Sequence, residues 1–256
     1  DMNTLQFESG FNAAFMIQEE NQTARLERDM FWQLPGDWLS QGDALPYPVT
    51  MIMDESGRRH PRRRAKPAGE VYRRFDTGIQ AWVSLRTLDI EEDLHRFMRW
   101  QNSERVAAFW EQSGTLEEHR AYLESQAKES RVLNLIGCID DEPFAYFEAY
   151  WAKEDRIAPY YDAQDFDRGI HMLVGEDHHR GPHKVKAWLN ALCHYLFLDD
   201  CRTTRIVSEP RSDNDRMIQH LQARRFAKPK EFDFPHKRAA LMVLHRDAFF
   251  ERCELS

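Results

Sequence analysis

Residues 169–184 read GIHMLVGEDHHRGPHK, and residues 186–198 continue as KAWLNALCHYLFL. The first part begins with an apolar run broken by His171 and predicts a strand, whereas the apolar spacing of the second predicts an amphipathic helix. A strand that turns into a helix through a loop of glycine and basic residues offers backbone N–H groups and the positive end of a helix dipole to a pyrophosphate. A plain strand-to-helix connection has the same pattern, so this stretch alone leaves both interpretations open.

Strands and helices alternate on both sides of this stretch. Upstream, residues 79–85 predict a strand, apolar spacing from Ile90 to Met98 predicts a helix, and Thr115 with Glu118 has the capping-box spacing of a second helix. Further predicted elements are a hairpin of residues 132–139 and 143–151, a strand at 204–209 and a helix capped within 212–215. The order β-α-α-β-β-β-α-β-α-β-β predicts an α+β fold with a mixed central sheet and helices on its faces.

The chain divides at about residue 77 into two predicted domains. Residues 1–77 contain short runs, such as the predicted strand at 24–32, between Pro, Gly and Asp residues, which predicts a small strand-rich N-terminal appendage. Residues 78–256 form the larger domain. The basic run RRHPRRRAK at residues 58–66 lies between turn residues, which favours a solvated loop over a site for an acidic partner.

The composition argues against several classes of protein. A net charge of -8 disfavours a nucleic-acid-binding protein, because affinity for phosphate depends on a surplus of Lys and Arg. No run approaches the roughly 20 apolar residues that span a bilayer, and the first ten residues do not resemble a signal peptide. The four cysteines have neither metal-ligand nor disulfide spacing, and His178, His179, His183 and His194 match no standard metal motif. We therefore expect a soluble, cytoplasmic protein without a metal ion, a nucleic-acid partner or a membrane partner.

Two titratable residues are candidates for acid–base chemistry. His171 lies among apolar residues of a predicted strand, where a single histidine is more often a hydrogen-bonded core residue than a catalyst. Glu209 ends the following predicted strand, just before Pro210, and brings a carboxylate to the same sheet. Titratable groups at neighbouring strand positions are one way in which a sheet presents an acid–base pair to a cleft. No Gly-x-Ser-x-Gly element is present, which favours direct transfer over a covalent enzyme intermediate.

Many multi-residue blocks occur in the order found in one known family. They include FWQLP (31–35), GEVYRR (69–74), FWEQSG (109–114), YFE (146–148), YWA (150–152), LVGE (173–176), EPR (209–211), DN (213–214) and KEFDFPHKR (230–238). Over residues 31–250 the chain closely resembles the aerobactin-type N-hydroxylysine acetyltransferases of hydroxamate siderophore biosynthesis, members of the GNAT superfamily. The resemblance implies a GNAT fold and an acyl-CoA-dependent N-acyltransferase that forms a hydroxamate.

The resemblance also implies roles for individual residues. The proposed catalytic pair of related enzymes falls on His171 and Glu209. Coenzyme A contacts are expected from Met172, Leu173, Val174, Arg180, Gly181, His183, Lys184 and Asn214. Substrate contacts are expected from Trp110, Glu148, Tyr150, Arg168 and Arg211. The pyrophosphate loop departs from the wider family pattern, because Pro182 has no N–H to donate and the later glycine is absent.

The expected substrates are acetyl-CoA and N6-hydroxylysine. His171 would hold the N–OH group, Glu209 would receive the proton lost after attack, and a backbone N–H within residues 172–174 would polarise the thioester carbonyl. Succinyl-CoA with N-hydroxyputrescine or N-hydroxycadaverine is an alternative, since Arg156, Arg168 and Arg211 are candidate partners for a carboxylate on either substrate. A non-catalytic module that binds acyl-CoA is a further alternative. Aromatic residues of the appendage also favour a homodimer.

Overall fold

The described part of the chain, residues 4–7, 16–18, 24–40, 48–251 and 255 of a computed structural model, is built around an eight-stranded sheet. In chain order, the strands are β1 Thr4–Phe7, β2 Ile17–Gln18, β3 Ala24–Glu27, β4 Met51–Met53, β5 Arg59–Pro61, β6 Glu70–Asp76, β7 Ala81–Thr87, β8 Val132–Ile139, β9 Glu142–Trp151, β10 Arg168–Val174, β11 Arg205–Ser208, β12 Ala227–Asp233 and β13 Arg238–His245. The helices are α1 Arg28–Trp32, α2 Ile90–Gln101, α3 Glu104–Trp110, α4 Leu116–Lys128, α5 Pro182–Asp199, α6 Asp215–Gln222 and α7 Arg246–Glu251.

The large sheet has the strand order β12-β13-β11-β10-β9-β8-β7-β6. Neighbouring strands in it pair antiparallel, except that β10 and β11 run parallel. On one face, Leu94 and Phe97 of α2 and Leu123 of α4 pack against Ile136 and Tyr146 of the sheet. Helix α5 packs on the other face within the largest apolar cluster. The predicted α+β fold with a mixed sheet is therefore confirmed.

Local sequence signals explain the hairpin and the helix that precedes it. Asp140 and Asp141 have φ of 48° and 65°, and aspartate tolerates this left-handed region well enough to close a two-residue hairpin between β8 and β9. Thr115 accepts from the backbone N–H of Glu118, and the Glu118 carboxylate accepts from that of Thr115. The predicted capping box is therefore confirmed, and it starts α4 one residue after Thr115.

Beyond its first turn, helix α5 is buried on all sides rather than amphipathic. Every residue from 187 to 198 is buried. Trp188 stacks on Phe147 of the sheet, with the ring centroids 5.3 Å apart. On the opposite side, His194 donates from Nε2 to the Trp32 carbonyl at 2.6 Å and accepts at Nδ1 from the Tyr72 hydroxyl at 2.8 Å. The prediction of a single apolar face is wrong, because the N-terminal region covers the side that would otherwise meet water.

The N-terminal region combines small sheets with one strand of the large sheet. Strands β1 and β2 both pair with β3, and β4 pairs with β5. The predicted boundary at residue 77 lies between β6 and β7, which are paired neighbours in the large sheet. The strand predicted over residues 24–32 is wrong in its second half, which forms α1. The homodimer predicted from the aromatic residues of this region stays a prediction.

The basic run at residues 58–66 is packed only in part, because Arg58, Arg59 and Arg62 are exposed while Arg63 and Lys66 contact the rest of the chain. Arg63 has only 3% of its side chain exposed, where its guanidinium pairs with Glu154 and lies 4.0 Å from the Trp151 ring centroid. Lys66 donates to the carbonyls of Gln126 and Ala127 at the end of α4. The predicted solvated loop is wrong for Arg63 and Lys66, because a buried carboxylate and an aromatic face hold the first and the carbonyls of a helix end hold the second.

Two other expectations concern the membrane and the cysteines. Among the described residues, no helix is long and apolar enough to cross a bilayer. Cys138, Cys193 and Cys201 are free thiols, and Cys253 lies outside the described residues.

Candidate active site

The parallel strands β10 and β11 separate after a short pairing. Their register covers Arg168 with Ile206 and Gly169 with Val207, and the Ser208 hydroxyl then donates to the Ile170 carbonyl at 3.2 Å. Beyond this point a cavity of about 710 Å³ opens between the strands. The gap exposes backbone groups of the remaining β10 residues to the cavity.

Alternation along β10 decides which backbone groups face that gap. The Gly175 N–H donates to the Phe144 carbonyl at 2.8 Å, and β10 is antiparallel to β9 throughout its length. In an antiparallel pair, alternate residues direct their N–H and C=O groups to the same neighbour. The N–H groups of Met172 and Val174 therefore point away from β9, toward the gap, as the predicted polarising role requires.

His171 is held between two carboxylates at the edge of the cavity. Its Nδ1 lies 2.8 Å from Glu148 Oε2, and its Nε2 lies 2.5 Å from Glu209 Oε1. The register explains this contact, because His171 is paired directly with Glu148 across β9 and β10, and Glu209 directly follows β11. The His171 side chain is 23% exposed, whereas the Glu209 side chain is fully buried. The structure thus brings the predicted pair together and adds Glu148 as a third member.

Tyrosine hydroxyls hold both carboxylates in place. Tyr122 and Tyr146 donate to Glu148 Oε1, and Tyr150 donates to Glu209 Oε2 at 2.7 Å. Burial, followed by the charge of Glu209, raises the pKa of Tyr150, so this hydroxyl keeps its proton. Glu148 and Tyr150, which we predicted as substrate contacts, therefore contact His171 and Glu209 rather than open solvent.

Gly169 leaves the space that the Tyr150 ring occupies. A Cβ at position 169 would lie 1.9 Å from Tyr150 Cε2, well inside the distance that atoms tolerate. The ring centroid of Tyr150 is 4.9 Å from that of His171. A glycine at this position of β10 therefore allows Tyr150 to reach both His171 and Glu209.

The charges of the three residues depend on one another. Burial disfavours the charged ring, but the carboxylates of Glu209 and Glu148 outweigh it and raise the pKa of His171 to about 10. Burial acts to raise the pKa of both carboxyl groups, yet the His171 charge outweighs it, lowering the pKa of Glu209 to about 2 and also lowering that of Glu148. At neutral pH the site therefore holds an imidazolium, which donates from both nitrogens, between two carboxylates.

One end of the cavity is suited to phosphate groups. Gly181, at φ 126°, precedes the first residue of α5 and lines the cavity with Arg180, Arg105 and Arg216. Arg105 and Arg180 lie close together, because each contacts Asp177 Oδ1 at 3.3 Å, and burial followed by the charge of Arg180 lowers the pKa of Arg105. Cations beside a helix N-terminus form an anion site.

The predicted coenzyme contacts divide into two groups. Met172, Leu173, Val174, Arg180, Gly181 and Asn214 line the cavity. His183 and Lys184 lie outside the cavity lining, and the Lys184 ammonium donates to the His178 carbonyl at 2.8 Å. Asn214 also accepts from the Met217 N–H at 3.2 Å and so caps α6.

The predicted substrate contacts also divide. Trp110 and Arg211 line the cavity, and the Trp110 ring centroid is 6.3 Å from that of His171. Arg211 is paired with Asp213 and Glu111. Arg168 is buried away from the cavity, where it donates to Asp199 at 2.8 Å.

Sequence reasoning assigned no role to several residues around the site. Arg105, Tyr122, Tyr146 and Lys237 are the main ones, together with Arg216. The alternation of Tyr146, Glu148 and Tyr150 along β9 was the available signal, because residues two apart share one face of a strand. Lys237 stood within a block that resembled the family but carried no assigned chemistry.

One cluster of metal-ligand side chains occurs within the described residues. Glu142 contacts His178 Nε2 at 2.9 Å and His179 Nε2 at 3.1 Å. The Lys184 ammonium lies 3.2 Å from His179 Nδ1. Its positive charge disfavours the binding of a metal ion to the same imidazole ring. The expectation of no metal ion stays a prediction.

Comparison with known proteins places these features in a family. A model described as "Acetyltransferase (GNAT) domain" matches residues 89–234. The N(6)-hydroxylysine O-acetyltransferase of Escherichia coli is 47% identical over 88% of this chain and 71% of that protein. An N(5)-hydroxyornithine:cis-anhydromevalonyl coenzyme A-N(5)-transacylase of Beauveria bassiana is 46% identical over 77% of this chain and 44% of that protein.

Solved structures agree with the family match. An aminoglycoside acetyltransferase in complex with coenzyme A superimposes with a TM-score of 0.60 and 27% identity, over 66% of this chain and 98% of that one. The resemblance to hydroxylysine acetyltransferases and the predicted GNAT fold are thus both confirmed. By the match of its domain, by its relatives and by its fold, this chain belongs to the GNAT family of acetyltransferases.

Proposed function

We propose that this chain transfers the acetyl group of acetyl-CoA to the hydroxylamine nitrogen of N6-hydroxylysine, which yields a hydroxamate and free coenzyme A. The observation that carries the proposal is the imidazole of His171, held between Glu148 and Glu209 at the mouth of the gap between β10 and β11. The names of the E. coli and B. bassiana relatives, which act on hydroxylated basic amino acids, support the choice of acceptor.

The acyl donor enters from the end of the cavity formed by α5. Its phosphates bind the N-terminus of α5 and the guanidinium groups of Arg105, Arg180 and Arg216. Its pantetheine arm lies in the gap between β10 and β11. There the N–H of Met172 or Val174 donates to the thioester oxygen, which becomes more negative as the nitrogen attacks. Pro182 supplies no N–H, so side-chain cations contribute more of the phosphate binding.

The hydroxylamine group binds between His171 and Glu209. Its oxygen accepts from Nε2–H of the imidazolium, and its N–H donates to Glu209 Oε1, so the acceptor replaces the direct contact between these residues. The nitrogen lone pair attacks the carbonyl carbon, the carbon–sulfur bond breaks and the thiolate leaves as coenzyme A. Glu209 takes the proton that the nitrogen loses, and positioning supplies most of the rate.

This arrangement selects a hydroxylamine over an ordinary amine. The nitrogen of a hydroxylamine is less basic than an alkyl amine and holds its lone pair free near neutral pH. An amine is protonated there and lacks the oxygen that accepts from His171. His171 therefore orients the acceptor and does not act as the base, because its pKa of about 10 keeps it charged.

An assay of two products tests the proposal. The purified chain is mixed with acetyl-CoA or succinyl-CoA and with N6-hydroxylysine, lysine, N-hydroxyputrescine or N-hydroxycadaverine. Free thiol and ferric-hydroxamate colour are then measured together. We expect both signals, in equal amounts, to be largest with acetyl-CoA and N6-hydroxylysine. Thiol without colour would mean acylation on oxygen or hydrolysis, and coenzyme binding without thiol release would mean a non-catalytic module; either result refutes the proposal.

A further inference from the structure

Three basic side chains that line the cavity lie against one aromatic ring. The guanidinium of Arg156 is 5.4 Å from the ring centroid of Phe234, and the ammonium of Lys237 is 5.6 Å from it. The imidazole of His236 stacks on the same ring, with centroids 5.4 Å apart and planes at 19°. Phe234 itself is buried, and all three basic residues line the cavity. We call Arg156, His236 and Lys237 the basic platform.

No carboxylate of the described residues forms an ion pair with the basic platform, although the charges of Glu209 and Asp155 act on Lys237. Within the described residues, no carboxylate lies in ion-pair distance of the Arg156 guanidinium, whereas the neighbouring Arg211 is paired with Asp213 and Glu111. The Lys237 ammonium uses one hydrogen on the Glu209 carbonyl at 2.7 Å, which leaves two for another acceptor. Burial lowers the pKa of Lys237; Glu209 opposes this effect and the charge of Arg156 adds to it. Like charges held together in a cavity are relieved when an anion binds.

The spacing between this platform and the catalytic pair suits a lysine side chain. Glu209 bridges the two places, because its carbonyl oxygen accepts from Lys237 and its Oε1 contacts His171. A glutamate residue spans roughly 6 Å between those oxygens, and an extended lysine side chain spans roughly 6 Å from Cα to Nζ. An acceptor whose hydroxylated nitrogen meets His171 therefore has its α-carbon beside Lys237.

Building on the proposed function, we propose that Arg156 and Lys237 bind the α-carboxylate of the acceptor and so select a hydroxylated amino acid over the matching diamine. In the part of the chain that the structure describes, no group accepts a hydrogen bond from Arg156, so its guanidinium can make a two-pronged contact, which is the geometry that guanidinium and carboxylate groups favour. Lys237 also donates to the carbonyl of Glu209, which directly follows β11. The carboxylate contact is therefore linked to the end of that strand.

Kinetics with two acceptors that differ only in this carboxylate test the assignment. N6-hydroxylysine and N-hydroxycadaverine are compared with acetyl-CoA as donor, using the native chain, Arg156→Gln, Arg156→Lys and the control Arg59→Gln. Arg59 is an exposed arginine outside the cavity lining. We expect Arg156→Gln to raise KM for N6-hydroxylysine by about 10- to 100-fold, with kcat within about threefold. Its kinetics with N-hydroxycadaverine should stay unchanged, Arg156→Lys should recover part of the loss, and Arg59→Gln should match the native chain.

Other outcomes would contradict either the carboxylate assignment or the proposed function. Equal losses with both acceptors, or no loss with either, would overturn the carboxylate assignment while leaving the proposed function intact. The same comparison is run with succinyl-CoA as donor, where a loss confined to succinyl-CoA with N-hydroxycadaverine would assign the platform to a carboxylate of the donor and overturn the assignment to the acceptor. If the native chain acylated neither acceptor, the proposed function itself would fail.

Discussion

Replacing Glu148 by glutamine removes one of the two charges that keep His171 protonated. The amide oxygen of Glu148→Gln can still accept from Nδ1–H, so the ring stays in place while the electrostatic support falls. Glu148 lies 2.8 Å from the ring and is buried, so water screens the loss poorly. In the proposed mechanism the imidazolium donates to the hydroxylamine oxygen. The rate should therefore fall as pH rises through the pKa of His171.

The size of the change follows from the two contacts of the ring. The native pKa of about 10 stands above an ordinary value of 6.5 because two carboxylates contact His171. One opposite charge at this range raises the pKa of a histidine by about 1 to 3 units, so the variant should titrate between roughly 7 and 9. At pH 9 the native ring is mostly protonated, whereas in the variant the protonated fraction falls by about 2- to 100-fold.

The assay is kcat/KM for N6-hydroxylysine between pH 6 and 10, with the uncatalysed hydrolysis of acetyl-CoA subtracted. The matched control is Tyr122→Phe, which removes a hydrogen bond to Glu148 but keeps its charge, and should shift the alkaline limb far less. Nuclear magnetic resonance of labelled histidine gives the pKa of His171 directly, with His171→Gln used to assign its signal. If kcat/KM of Glu148→Gln fell at the same alkaline pH as that of the native chain, the role of the imidazolium as hydrogen-bond donor would be refuted.

Three further substitutions test other parts of the site and fold. His171→Gln should lower kcat by about 10²- to 10⁴-fold while the Kd for acetyl-CoA, measured by calorimetry, stays within about threefold; an unchanged kcat would remove His171 from the mechanism. Gly169→Ala should displace the Tyr150 ring and destabilise the chain by about 1 to 3 kcal/mol in denaturant unfolding, with activity lost in the folded fraction as well; native stability would contradict the close approach. Arg63→Met leaves buried Glu154 with His60 Nδ1, at 3.2 Å, as its ion-pair partner among the described residues, and should lower the free energy of unfolding by about 3 to 5 kcal/mol, whereas exposed Arg59→Met should change it little.

The sequence predicted the framework of the larger domain because its signals are local. Capping by Thr115, the hairpin turn at Asp140 and Asp141, and the alternation of strands and helices depend on residues close in the chain. The catalytic pair was predicted on the same basis, since His171 lies within one strand and Glu209 ends the next. Local signals therefore indicated both where the sheet runs and which of its residues face the cleft.

Long-range contacts explain what the sequence left out. Burial of α5 depends on Trp32 and Tyr72, more than 100 residues away, so its apolar spacing gave no sign of a cover on the second side. Arg63 in the basic run is buried only because Glu154 lies 91 residues further along the chain. Glu148 was predicted to bind substrate, and its contact with His171 required the register between β9 and β10. Periodicity does not specify that register.

The charges of His171 and Glu209 coexist at pH values between the two shifted pKa values, and this links stability to function. The folded pKa of His171 is raised, so its contribution to stability is complete below its ordinary value of 6.5 and is lost as pH rises through about 10. The folded pKa of Glu209 is lowered, so its contribution is present above its ordinary value of 4.5 and is lost as pH falls through about 2. Between these limits the imidazolium is fixed by two carboxylates that accept its hydrogen bonds. A hydroxylamine can enter this cluster without adding a charge, whereas a protonated amine would have to lose its proton first, and so the same electrostatics that hold the site together favour the acceptor that we propose.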